Sequence, residues 1–290
     1  MKADDIKTVC VVGAGNMGHQ ISVQSALSGY RTWCVDIDEG QLEKARQFVK
    51  KYLPERVSKG RITQELADQA ENNLSFTTSL EEAAGKTDFV IEAAVEKIKV
   101  KRDLFSQLDR IAPAHAILST NSSYIVSSKV ADATGRMDKI CNMHFFNPAL
   151  VMKCVEVVKG PHTSEETAEV TMELARGMNK EPVLLHKEIY GFLVNRILQS
   201  IHQEAQFLYD TGVASMQDID SAVENALGHP MGPFRLMDLT GIDLAYHVRM
   251  ERYQETMDPA DKPNPCVVEK YVKGEWGKKV GKGFYDYEKN

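Results

Sequence analysis

Three things are scarce in this chain of 290 residues: paired cysteines, long apolar runs and basic charge. The five cysteines, Cys10, Cys34, Cys141, Cys154 and Cys266, are odd in number, and no two have the spacing of a metal or redox pair. No metal site is therefore expected. Four of the five fall in expected strands, where a buried free thiol is the ordinary state, which fits a reducing compartment. No apolar run approaches the roughly 20 residues of a membrane span, and the opening MKADDIKTVC lacks the apolar stretch of a signal peptide. A cytoplasmic protein with no membrane partner is the expectation. A net charge of −6 argues against general nucleic-acid binding, which shows a basic footprint, so an anionic ligand needs a local basic patch. Hydrophobic content of 43% and charged content of 26% are those of an ordinary globular protein, and the length suggests about two domains.

What the chain does have begins at a short β-branched run, Lys7 to Val12, which enters Gly13-Ala14-Gly15-Asn16-Met17-Gly18 and then a helical pattern to about Ser28. Strand, glycine turn and helix is the context a dinucleotide fingerprint requires: Gly13 for the tight turn, Gly15 for backbone approach to a pyrophosphate, Gly18 for packing of helix on strand. A second strand, Arg31 to Val35, ends at Asp36, where an acidic side chain takes the ribose hydroxyls of NAD. Ile37, Asp38 and Glu39 follow, so a 2′-phosphate would meet like charge, and NAD is expected over NADP. A cap on the following helix is the other reading of Asp36.

From about Asp38 to Ala70 the pattern is helical, broken near Pro54 and Gly60, and it carries Lys50, Lys51, Arg56, Lys59 and Arg61. That basic excess is either a polyphosphate site or a solvated helix face. Leu74 to Thr77, Asp88 to Glu92 and Ala116 to Leu118 read as strands, with a helix from Lys97 to Arg110. Alternating strand and helix predicts an α/β fold, a doubly wound, mostly parallel Rossmann-like sheet. Ligands of such sheets bind beyond the carboxyl ends of the strands. Ala93 to Glu96 and Ser119-Thr120-Asn121-Ser122-Ser123 should therefore face the cofactor, although loop capping also accounts for the second run. Thr163 to Glu166 resembles a capping box opening a helix to about Arg176, and a strand follows near Pro182 to Leu185. From Gly191 no strand is convincing: Gly191 to Asp210 reads as a long amphipathic helix, and Ser215 and Thr240 as two further helix starts. A smaller all-α C-terminal domain is expected at 188–290, after a nucleotide-binding domain at 1–187.

The chemistry is expected in MHFFNPALVMKCVEVV, Met143 to Val158. Read as a strand from Val151, this stretch leaves Glu156 as the one charge in an apolar row of Met152, Cys154 and Val158. A desolvated carboxylate needs a partner. His144 stands twelve residues upstream, following a strand at Lys139 to Met143, and Asn147-Pro148 supplies the turn for the two to meet. An imidazole held by a carboxylate has one nitrogen fixed in tautomer and the other free, as a general acid/base requires. A core histidine with a solvated glutamate is the plainer alternative. Asn195, in the first turn of the long helix, is either a cleft residue or an exposed polar one.

Together VVGAGNMG, EAAVE, HFFNPALVMKCVEVV, GFLVNR, GHPMGPFRLMDLTGID and GKKVGKGFYDY resemble the L-3-hydroxyacyl-CoA dehydrogenase family, particularly its bacterial 3-hydroxybutyryl-CoA dehydrogenases, over nearly the whole chain. The resemblance implies reversible NAD-dependent oxidation of a short (S)-3-hydroxyacyl-CoA to its 3-oxo product, by a homodimer. It implies that His144 removes the hydroxyl proton, Glu156 orients it, Ser123 bonds the substrate oxygen and Asn195 completes the site. It also implies that Glu96, Lys101, Asn121, Asn147 and Lys279, with Gly13, Gly15, Asn16, Met17, Gly18 and Asp36, lie along the dinucleotide, and that Lys59 meets CoA. Two positions depart from the family pattern: Tyr124 follows Ser123 where a small or apolar residue is usual, and Tyr190 replaces a proline before Gly191, with one residue added between Pro182 and Asn195. Two rival readings are a dehydrogenase of a free hydroxy acid such as a sugar acid, as in the gulonate group, and an NAD-binding protein with a spent site.

Overall fold

The computed structural model describes residues 2–287 and divides into two compact units, Met1–Leu193 and Val194–Asn290. The first carries eight strands: β1 (Thr8–Val12), β2 (Arg31–Val35), β3 (Leu74–Thr77), β4 (Phe89–Glu92), β5 (Ile117–Thr120), β6 (Ile140–Phe145), β7 (Cys154–Val158) and β8 (Glu181–Leu185). They form one sheet in the order β3-β2-β1-β4-β5-β6-β7-β8, parallel except where β6 meets β7. The connections carry α1 (Asn16–Leu27), α2 (Glu39–Ser58), α3 (Gln64–Asn73), α4 (Leu80–Ala84), α5 (Ile98–Ile111), α6 (Ser128–Ala131) and α7 (Glu165–Gly177). Every residue of β4, β5 and β6 is buried, as expected of strands covered on both faces. Alternation along the strands sends Val9, Val11, Phe89 and Ile91 to one core with Ile21 and Leu174, and Cys10, Val90 and Leu118 to the other with Phe105 and Leu108. The strand order reverses between β1 and β4, which opens the crevice where ligands of such sheets are held.

Several boundaries differ from the expectation. Pro54 does not break α2: buried Val49 and Leu53 hold the helix on its inner face, while Pro54 and Lys50, whose carbonyl loses its partner, are both exposed. The helix ends at Ser58, two residues ahead of Gly60, which turns the chain with φ of 61°. Residues 151–153 are not strand, Ser119 and Thr120 lie inside β5, and His144 lies inside β6. Ser164 caps α7 by accepting the Thr167 N–H, without the reciprocal acid of a capping box.

The second unit holds α8 (Val194–Asp210), α9 (Met216–Leu227), α10 (Pro233–Thr240), α11 (Ile242–Thr256) and α12 (Pro265–Val272), and among its described residues only isolated bridges represent β structure. The chain reaches α8 three residues later than the sequence pattern predicts. Gly191 and Phe192 take φ of 73° and 48°, which turns the Phe192 ring fully inside against Val158 and Leu185. Ser215 caps α9 as expected, but Thr240 ends α10 with its hydroxyl donating back to Leu236, and α11 starts after Gly241. Buried Asp238 gathers the closing GKGFYDY segment, accepting the N–H groups of Phe284 and Tyr285 at 2.8 and 2.9 Å and the Tyr287 hydroxyl at 3.0 Å.

Candidate active site

Two of the three glycines in the first turn are demanded by the protein's own packing. A Cβ on Gly13, whose φ is 106°, would lie 2.6 Å from the Ala93 carbonyl oxygen, and one on Gly18 would lie 1.7 Å from that of Gly13. Gly15, the N-cap of α1, has nothing within 4 Å of such a Cβ. Open space over a helix N-terminus suits an anionic group brought against the backbone, so these residues fit a dinucleotide pyrophosphate. Asp36 at the β2 tip accepts the Ala14 N–H at 2.7 Å and the Asp38 N–H at 3.0 Å. Asp38, not Asp36, caps α2 through the Gly40 N–H at 2.8 Å, so the helix-cap reading of Asp36 falls. Asn16 donates to Asn147 at 3.1 Å, and Met17 packs against the sheet core.

Antiparallel register sets His144 directly opposite Glu156. His144 Nδ1 lies 2.8 Å from Glu156 Oε2, with exposures of 3% and 0%, so the glutamate is not solvated. Its other oxygen accepts the Leu193 N–H at 2.9 Å. Because a carboxylate only accepts, Nδ1 is the donor, which leaves the Nε2 lone pair to the Ser123 hydroxyl at 3.0 Å. Phe146 and Phe192 flank the imidazole, with ring centroids 4.6 and 5.5 Å away. Asn121 ties the β5 tip to this strand by accepting the Phe145 N–H at 2.8 Å.

Two buried polar groups were not anticipated from the sequence. Glu92 closes β4 and pairs with Lys101 at 2.6 Å, the two being 0% and 1% exposed. Glu92 also accepts the Ala94 N–H at 2.7 Å and the Thr120 hydroxyl at 2.6 Å. Lys101, expected along the dinucleotide, is thus enclosed between Glu92 and Glu96, the latter 3.3 Å away. Glu96 in turn accepts the Ser122 hydroxyl and the Ile125 N–H. The signal for Glu92 was the one used for Glu156, a lone charge in an apolar strand. Asn142, inside β6, is the second: it accepts the Ser127 N–H at 2.7 Å and donates to the Ser122 and Ile125 carbonyls, bracing the loop that carries Ser123.

Three further candidates are Lys59, Asn195 and Lys279. Lys59 is exposed at the C-cap of α2 and pairs with Glu55 at 2.5 Å. Asn195 and Lys279 belong to the second unit; Asn195 is half-buried in the first turn of α8, and Lys279 pairs with Asp243 at 2.6 Å. Among the described residues no cluster of His, Cys, Asp or Glu could hold a metal ion, and no helix is long and apolar enough to cross a membrane.

Residues 8–189 match the family model described as 3-hydroxyacyl-CoA dehydrogenase, NAD binding domain, and residues 191–287 match that of its C-terminal domain. The chain belongs to the 3-hydroxyacyl-CoA dehydrogenase family. As a member of the 3-hydroxyacyl-CoA dehydrogenases it is an NAD-dependent enzyme. It is 38% identical to a probable 3-hydroxybutyryl-CoA dehydrogenase of Bacillus subtilis, over 98% of each chain. It is 37% identical to the human mitochondrial hydroxyacyl-coenzyme A dehydrogenase, over 98% of this chain and 92% of that one. The solved (S)-3-hydroxybutyryl-CoA dehydrogenase of Ralstonia eutropha superposes with a TM-score of 0.90 at 35% identity, covering 97% of this chain and 99% of that one.

Proposed function

We propose that the enzyme oxidises short-chain (S)-3-hydroxyacyl-CoA thioesters, 3-hydroxybutyryl-CoA foremost, to 3-oxoacyl-CoA and catalyses the reverse reduction, with Ser123, His144 and Glu156 as its working residues. The single observation that carries the reading is the line from half-buried Ser123 Oγ through buried His144 to buried Glu156, with spacings of 3.0 and 2.8 Å. Bound NAD supplies the hydride acceptor. The protein supplies the proton chemistry. His144 Nε2, unprotonated in the tautomer Glu156 imposes, accepts the hydroxyl proton as the carbonyl forms at C3. Ser123 donates to the same substrate oxygen and holds it within reach of Nε2. The imidazolium that results faces a carboxylate across the strand pair, so the charge formed on His144 is stabilised where it arises. In reduction the same proton returns to the oxygen.

The test is NADH consumption with acetoacetyl-CoA. His144→Gln keeps a side chain of similar reach without the basic nitrogen, and its turnover is expected to fall by roughly 10²–10⁴. A variant as fast as the wild type would remove His144 from the chemistry. NADPH is expected to be the poorer reductant, because Asp36, Asp38 and Glu39 present like charge to a 2′-phosphate. Free acetoacetate is the comparator: turnover rivalling the thioester would point to a free hydroxy acid as substrate.

A further inference from the structure

Tyr124 and Tyr190, 66 positions apart, meet with ring centroids 4.9 Å apart at an interplanar angle of 33°. Each lies within two residues of one that addresses His144. Tyr124 follows Ser123, whose Oγ reaches Nε2, and Tyr190 stands two residues before Phe192, whose ring flanks the imidazole. Both segments are pinned. The Tyr124 loop is held by Glu96, which accepts the Tyr124 and Ile125 N–H groups at 3.4 and 3.3 Å, and by Asn142 on the Ile125 carbonyl at 3.1 Å. The Tyr190 segment is tied to the same loop by Glu188, which accepts the Ser127 and Ser128 hydroxyls at 2.8 and 2.6 Å, and is anchored beyond by the buried Phe192 ring.

The neighbours of the two rings say which ligand part they face. Gly13, Asp36 and Ala93, which fit the adenosine and pyrophosphate end of the dinucleotide, follow β1, β2 and β4, whereas the tyrosines adjoin Ser123 and Phe192, at the end where the hydroxyl reacts. The rings therefore stand on the substrate side of the point between Ser123 and His144 where the oxygen on C3 is held. Of the two carbon substituents on C3, the one leading to the thioester has to pass out to solvent with its CoA. A pinned pair of rings can abut only the other, the acyl tail. We propose that Tyr124 and Tyr190 together form the end wall of the acyl site and restrict the substrate to tails of a few carbons. This rests on the proposed thioester activity and adds to it the determinant of chain length. The wall is bulky and held by pinned segments, so longer tails meet ring atoms that do not move aside.

The experiment compares kcat/KM for 3-oxoacyl-CoA thioesters of four, six and ten carbons in the wild type, Tyr190→Ala, Tyr124→Ala, the double variant and the two Tyr→Phe variants. Wild type is expected to prefer the four-carbon over the ten-carbon thioester by about 100-fold, within the range a shaped apolar pocket can discriminate. Each alanine variant is expected to shift that ratio about tenfold toward ten carbons, and the double variant to shift it by less than the product of the singles, since either truncation opens the same wall. The phenylalanine variants keep the rings and the four-carbon preference. Equal kcat/KM across chain lengths in the wild type, or alanine variants that lower all three thioesters in proportion, would overturn the wall. Failure to turn over any thioester with NADH would instead sink the proposed function itself.

Discussion

At Gly15 and Gly18 the same one-carbon substitution is expected to do different things. Gly18→Ala drives a methyl into the backbone of Gly13, 1.7 Å away, and should cost the fold about 3 kcal/mol because neither segment can yield without moving β1 or α1. Gly15→Ala meets no protein atom within 4 Å and keeps an unstrained φ of −62°, so it should cost about 1 kcal/mol or less, the scale of a changed N-cap. Its effect belongs to the ligand: NADH affinity should weaken by about tenfold or more, as the methyl occupies the approach of the pyrophosphate. Thermal melts and NADH titrations of the two variants separate these outcomes. Gly15→Ala binding NADH as tightly as wild type would contradict the assignment of the open space.

Among the elements, β3 at Leu74–Thr77 was legible to the residue, because apolar Leu74 and Phe76 alternate with Ser75 and Thr77 between polar segments. Ends that depend on distant partners were not legible. The start of α8 is decided by the burial of Phe192 against Val158 and Leu185, and the survival of α2 through Pro54 by an inner apolar face, and neither leaves a local mark. The site divides in the same way. His144 opposite Glu156 could be anticipated because a single charge in an apolar strand demands a partner. The contact of Tyr124 with Tyr190 could not, since it joins two loops with no shared periodicity. Phe192→Ala should cost about 3–5 kcal/mol as a truncated core aromatic. It should also slow turnover, because the turn it anchors delivers the Leu193 N–H to Glu156. A variant with the lowered melting point but full turnover would separate that turn from the chemistry.

The stability of the whole molecule should respond to acid through His202, in α8. Burial holds its imidazole at about 4, below the ordinary 6.5. The unfolded chain then binds the proton first. Stability from this group is complete above pH 6.5 and drains away as pH falls toward 4. His202→Gln should flatten melting temperature against pH across that window while leaving other acid transitions in place. A wild-type slope unchanged in the variant would show that the group is not responsible.

The pairing of β6 with β7 has a consequence for how such an enzyme can vary. Because His144 and Glu156 are rung-mates on adjacent strands, their spacing is inherited from the ladder and not from the hairpin that joins them. Changes beyond the first residues of that hairpin leave the rung itself in place, whereas Phe146 beside the imidazole and Asn147 on Asn16 tie its opening to the site. A frame-shift of one rung would turn Glu156 away from His144 and into the core that Val155 and Val157 line, losing the chemistry and leaving a carboxylate buried without a partner.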